Sequence, residues 1–183
     1  MAISNAAAGG IMLVTMIVIV MMTPNILDKM LALQESSTDI STIENEIFDT
    51  QVEISDLSGS PGGNVINFTL TNVGDQKLWK FDKFDLFVTY EANISGTKTM
   101  TVEHLVYNAT ASFLEKTSAQ ELRSGYWTVN SITNDQIETR ILNQDEDSSI
   151  LAKLNNPVYP TGKVMVVVST ERGVLSSAGT QVS

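Results

Sequence analysis

The chain holds one histidine and no cysteine. His104 stands in Thr101-Val-Glu-His-Leu-Val106, where alternation places it on the face of Val102 and Val106. A single imidazole cannot build a histidine-rich metal site. Without thiols, zinc–thiolate and cysteine-nucleophile chemistry fall away together. The run Asp145-Glu-Asp-Ser-Ser149 is rich in oxygen. Calcium, however, needs about six to eight converging oxygens, and the spaced D-x-D-x-D-G pattern is missing, so the run reads as a solvated loop. Asp82 and Asp85 flank Phe84 and read as turn and strand-entry residues rather than an acid/base pair. No G-x-S-x-G, glycine-rich phosphate loop or H-E-x-x-H occurs. The expectation is therefore no catalysis, no cofactor and no metal.

Three N-x-S/T triplets offer a different chemistry, N-glycosylation at Asn67, Asn93 and Asn108. The strand reading puts them on a polar face, in a loop and at a strand end. The aromatics Trp79, Tyr126, Trp127 and Tyr159 could form an exposed binding patch, although core packing is the commoner role for such residues.

The elements that carry these residues differ sharply along the chain. No charged side chain precedes Asp28, and Ile11-Met-Leu-Val-Thr-Met-Ile-Val-Ile-Val-Met-Met22 is almost unbroken in its apolar character. From Ala6 to Leu27 a helix would span a hydrocarbon core of ~30 Å. A cleaved secretory signal is disfavoured, since no Lys or Arg precedes the run and no A-x-A-like site follows it. Pro24 removes one backbone donor and predicts a kink near Met21 and Met22.

The helical period continues beyond the apolar run. Ile26, Met30, Leu33, Ile40, Ile43 and Ile47 recur at three- and four-residue steps, interrupted at Ser37 and separated by polar residues. The expected element is one long helix over residues 1–49, about 70 Å if continuous. The residues expected to pack in a membrane or against sister helices are Ile11, Leu13, Val14, Ile17, Val18, Val20, Met21, Ile26, Met30, Leu33, Ile40, Ile43 and Ile47.

Beyond Thr50 the period becomes two. Val52 and Ile54 alternate with polar neighbours, as do Ile66, Phe68 and Leu70. Further strands are expected over Phe84–Tyr90, Met100–Tyr107, Tyr126–Ile132, Ile137–Leu142, Ile150–Leu154, Val164–Thr170 and Val174–Ser177. Turn residues such as Asn72-Val-Gly-Asp75 punctuate them. The fold class this predicts is α+β, a long N-terminal hydrophobic and amphipathic α-helix followed by an Ig-like antiparallel β-sandwich over 50–183. A net charge of −10 with no basic cluster excludes nucleic acid as a partner.

Several local patterns carry a resemblance. They are the uncharged Met-Ala-Ile-Ser-Asn start before an apolar helix, Pro24 at its end, and Thr50-Gln-Val-Glu-Ile54 opening the β-domain. Leu70-Thr-Asn-Val-Gly74, Phe84-Asp-Leu-Phe-Val88 and Val166-Val-Val-Ser-Thr-Glu-Arg-Gly-Val174 follow in that order. In layout the chain resembles the archaeal archaellum accessory proteins FlaF and FlaG, within the wider group of archaellins and type IV pilin-like proteins. The resemblance implies a non-catalytic part, with an N-terminal helix in the membrane or filament core and an outward Ig-like domain that acts as a stator or polymerises. Archaellin and pilin precursors carry a basic residue and glycine before their cleavage point. The lack of that pattern here favours the FlaF/FlaG side, while a processed form would read alike, so filament subunit and stator both stay open.

The implied location is the cell surface, with membrane insertion before or instead of assembly. The implied partners are copies of the chain and a surface-layer protein. The competing expectation is a membrane-anchored adhesive module whose β-sandwich binds a surface-layer protein or glycan.

Overall fold

The computed structural model describes residues 12–14, 16–17, 28–42, 44–45, 47, 49–113, 122–133 and 138–182. The chain divides into two compact units, Met1–Asn45 and Glu46–Ser183.

In the first unit, helical backbone is described at 12–14 and 16–17 and runs without a gap over 28–42, here α1. Its first turns draw on Lys, Met, Leu, Ala, Gln and Glu, all strong helix formers. Toward its end, the Thr38 hydroxyl donates to the Gln34 carbonyl and the Thr42 hydroxyl to the Thr38 carbonyl, each at 2.9 Å. These bonds one turn back let β-branched threonines satisfy their hydroxyls inside a helix.

In the second unit eight strands form: β1 (Val52–Gly59), β2 (Val65–Asn72), β3 (Asp85–Ile94), β4 (Thr97–Tyr107), β5 (Tyr126–Thr133), β6 (Asp147–Lys153), β7 (Lys163–Ser169) and β8 (Leu175–Gln181). Their order is β1-β2-β6-β5-β4-β3-β7-β8, with β1 and β8 lying close together so that the sheet nearly closes. Every pairing is antiparallel except β4–β5, which runs parallel through Val106–Tyr126 and Tyr107–Trp127. Alternate residues from facing strands fill the interior: Ile66, Phe68 and Leu70 of β2, Leu86, Val88 and Tyr90 of β3, and Val164, Val166 and Val168 of β7. Full burial of each such side chain contributes about 1.5–3 kcal/mol.

Two features of the expected fold are corrected. The described residues are mostly β, with no single long N-terminal helix, and no helix among them is long and apolar enough to cross a membrane. A helical period with a prolyl interruption at Pro24 and a Gly9-Gly10 pair records which positions share a face. It does not supply the continuity of backbone bonds that a ~70 Å helix requires. Nor is the sandwich wholly antiparallel. The chain after β4 crosses over before β5 rather than turning back in a hairpin, so β5 enters beside β4 in the same direction.

The expected strand over Ile137–Leu142 is also absent among the described residues. Ile137 lies outside them, residues 138–140 turn with Arg140 at φ 68°, and only Leu142 pairs, in an isolated bridge to Leu78. Positive φ at a non-glycine residue ends an extended run. Conversely, β3 extends through Asn93 and Ile94, where a loop was expected, and turns only at Ser95-Gly96, both with positive φ. That geometry suits a two-residue hairpin.

Where the chain enters the sandwich, Gly74 makes a close approach that a side chain would block. A Cβ there would lie 2.2 Å from the Asp49 carbonyl oxygen and 2.5 Å from the Gln51 nitrogen. The wholly buried Asn72 holds the same corner. Its amide donates to the carbonyls of Gln76 at 2.8 Å and Leu142 at 3.0 Å, and its Oδ1 accepts from the Gly74 amide at 3.2 Å.

Candidate assembly surfaces

Two apolar surfaces face outward. The first is on the helical residues. Leu13, Val14 and Ile17 are exposed, as are Met30, Leu33 and Ile40 of α1, with Leu33 at 70%. Ile47 is likewise exposed. Ile11, Val18, Val20, Met21, Ile26, Ile43 and the expected kink at Pro24 lie outside the residues whose placement is described.

The second surface is the outer face of β4, β3, β7 and β8. Strand alternation sends Leu86, Val88 and Tyr90 inward and Phe87 and Thr89 outward. Register then sets Phe87 beside His104 of β4 and Val167 of β7, and Thr89 beside Val102 and Met165. Phe87, Met100, Val102, Val106 and Met165 are each at least two-fifths exposed. A groove of about 520 Å³ runs over this face, walled by Met100, Lys163 and Met165 and floored on β8 by small residues such as Ser177 and Gly179.

The charges on this face are mostly paired. His104 Nε2 lies 2.9 Å from Asp85 Oδ1, and its ring stacks on Phe87 with centroids 4.7 Å apart. The Lys98 ammonium bonds the Glu91 carboxylate at 2.8 Å, and the Lys163 amide donates to the same carboxylate at 2.7 Å. The Lys98 hydrogen bond and then the Lys163 N–H hold the Glu91 carboxyl below its usual value. Sequence reasoning placed His104 with Val102 and Val106 correctly but missed that this shared face is the outer one. No local pattern marks it, since the exposed Met100 and Val102 alternate with polar neighbours just as buried residues do.

Inside the sandwich, the carboxylate of Glu103, almost wholly buried, accepts from the Tyr90 hydroxyl at 2.5 Å and from the amide and side chain of Asn155, each at 3.0 Å. Burial first, and then the neighbouring carboxylate, push the Tyr90 hydroxyl well above its usual value. This network ties the β6–β7 loop to the β3–β4 hairpin. Among the described residues no cluster of three or more His, Cys, Asp or Glu could hold a metal.

Of the three acceptor asparagines, Asn67 is exposed on β2, Asn93 is half-buried at the end of β3, and Asn108 follows β4. The Asn93 Oδ1 accepts from the Gly96 amide at 3.0 Å, and the Asn108 Oδ1 accepts from Thr110 and Ala111. The aromatics do not converge. Trp127 is buried against Tyr107, whereas Trp79 is 53% exposed with the Lys80 ammonium 5.6 Å from its ring centre.

The sandwich matches a known family over most of its length. The profile described as "Conserved flagellar protein F, immunoglobulin-like domain" fits residues 48–177. The chain belongs to this family. The order of motifs from Thr50 to Val174 falls within the span matched to flagellar protein F.

Solved structures share the fold at low identity. The archaeal flagellum of Methanospirillum hungatei aligns over 97% of this chain and 93% of its own, with a TM-score of 0.59 at 12% identity. An archaeal flagellin from Methanocaldococcus jannaschii aligns over 72% of this chain and 90% of its own, with a TM-score of 0.51 at 14% identity. The archaellum periplasmic stator protein FlaG from Sulfolobus acidocaldarius aligns over 72% of this chain and 99% of its own at 17% identity, with a TM-score of 0.46. No curated protein matches the chain. Membership of the flagellar protein F family supports a non-catalytic part of the flagellar machinery, and the solved structures add the fold.

Proposed function

We propose that this protein is a structural component of the archaellum machinery at the cell surface, held there by association rather than by chemistry. The observation that carries the reading is the flagellar protein F match over 48–177. Within it, a stationary, stator-type role is the leading assignment, because the matching family is flagellar protein F and not a flagellin. The exposed Leu13, Val14, Ile17, Met30, Leu33 and Ile40 support assembly through the N-terminal segment. Water-exposed side chains of this size gain about 1.5–3 kcal/mol each when covered. Copies of the chain and other archaellum proteins are the proposed partners, and the three acceptor asparagines are proposed glycan sites.

The test is fractionation of native cells. Sheared filaments and filament-free envelopes are separated and this chain is quantified in each by mass spectrometry. Enrichment in envelopes that retain filament bases supports the stator role. Stoichiometric presence in sheared filaments makes the chain a filament subunit instead. Absence from both overturns the archaellum assignment.

A further inference from the structure

The residues Met30, Leu33, Ser37, Ile40, Glu44 and Ile47 follow one another at steps of three and four, the a and d positions of successive heptads. All six are exposed. Glu44 therefore occupies a seam position. In a symmetric parallel bundle of these helices it would face its own copies, and like charges buried together are strongly disfavoured. The seam needs a partner that offers apolar surface and one cation at the level of Glu44.

The outer face of β4-β3-β7-β8 has both properties. Phe87, Val102 and Met165 make its middle apolar. At one end of the groove the Lys163 ammonium forms no ion pair among the described residues, while the nearby Glu91 is already bound by Lys98. The dimensions also agree. From Lys163 to Ser169, β7 extends ~20 Å, and from Met30 to Glu44 a helix extends ~21 Å.

We propose that the Met30–Glu44 seam of one copy docks on the outer face of β4-β3-β7-β8 of a second copy, with Glu44 paired to Lys163. The proposal rests on the assembly reading above and names the surface that receives the segment. Because the two surfaces differ, the contact is head-to-tail, and repetition extends an array rather than closing a dimer. The pairing follows the helix-in-groove mode, in which apolar anchors supply affinity and the single ion pair fixes register.

The absence of native cysteine makes the test direct. Full-length protein carrying Ile40→Cys is mixed with differently tagged full-length protein carrying Met165→Cys, and a short thiol cross-linker is added. Four helical residues separate Ile40 from Glu44 and two strand residues separate Met165 from Lys163, so both lie ~6 Å from the proposed ion pair. The expected result is a mixed-tag product well above that from Ile40→Cys with Ser58→Cys on β1. Lys163→Glu should lower the yield about tenfold, and Glu44→Lys in the other copy should restore it. A yield no higher than the Ser58→Cys control, a product formed only within one tag, or failure of the charge swap overturns the docking. Sedimentation of the same samples separates the two readings. Assembly without the cross-link overturns only this surface, whereas no self-assembly overturns both.

Discussion

The Tyr90 hydroxyl and the Glu103 carboxylate meet at 2.5 Å inside the β3–β4 hairpin, and the Asn156 amide reaches the same hydroxyl at 3.3 Å. The raised Tyr90 value has a consequence at alkaline pH. In the unfolded chain Tyr90 releases its proton near pH 10, while in the folded protein it keeps it. Above that pH the unfolded state binds fewer protons, so this contribution, complete below about pH 10, is lost as pH rises. Denaturant midpoints between pH 9 and 11 should fall more steeply for the native protein than for Tyr90→Phe. Parallel curves would assign the alkaline loss to other groups.

Glu103→Ala should destabilise the fold by about 2–4 kcal/mol in urea unfolding, because it leaves the Tyr90 hydroxyl and two Asn155 donors without their acceptor. A loss under ~0.5 kcal/mol would show that water replaces the carboxylate.

The corner at Asn72 and Gly74 predicts a second sensitive point. Asn72→Ala should cost about 2–4 kcal/mol, since three buried hydrogen bonds vanish together. Gly74→Ala should be at least as damaging, because its Cβ would meet backbone rather than a mobile side chain. Thermal unfolding of both variants checks the ranking. Near-native melting of Gly74→Ala would mean that the entering chain can shift.

Leu33→Asp separates folding from assembly. Leu33 is 70% exposed and belongs to α1, so the β-unit should melt unchanged within ~0.5 kcal/mol. Covering an aspartate in an apolar contact is costly, so sedimenting assemblies should disappear. Assemblies that persist at native yield would remove the N-terminal seam from the interface.

Much of the β-unit was legible in the residues. The alternation of Ile66, Phe68 and Leu70 and of Val164, Val166 and Val168 marks strands buried on one face, and Asn72-Val-Gly-Asp75 marks the turn. Ile137–Leu142 misled because Ile137, Thr139 and Ile141 alternate with Glu138 and Arg140 in the sequence, a pattern that Arg140 breaks with its positive φ. The parallel β4–β5 pairing could not be read locally, since it depends on where a crossover returns the chain. The long helix failed for a related reason. Periodicity reports which side chains share a face and not how far one unbroken backbone ladder extends. The outer apolar face of β4, β3 and β7 was hidden because exposed Met100, Val102 and Met165 alternate just as buried residues do.

Immunogold electron microscopy of archaellated native cells, with antibody raised against the 46–183 unit, tests the central claim most directly. The account predicts gold concentrated at the points where filaments meet the envelope, and its loss from cells in which the gene is deleted. Gold scattered over the cell surface without relation to filaments, at equal density on cells that bear none, would contradict it.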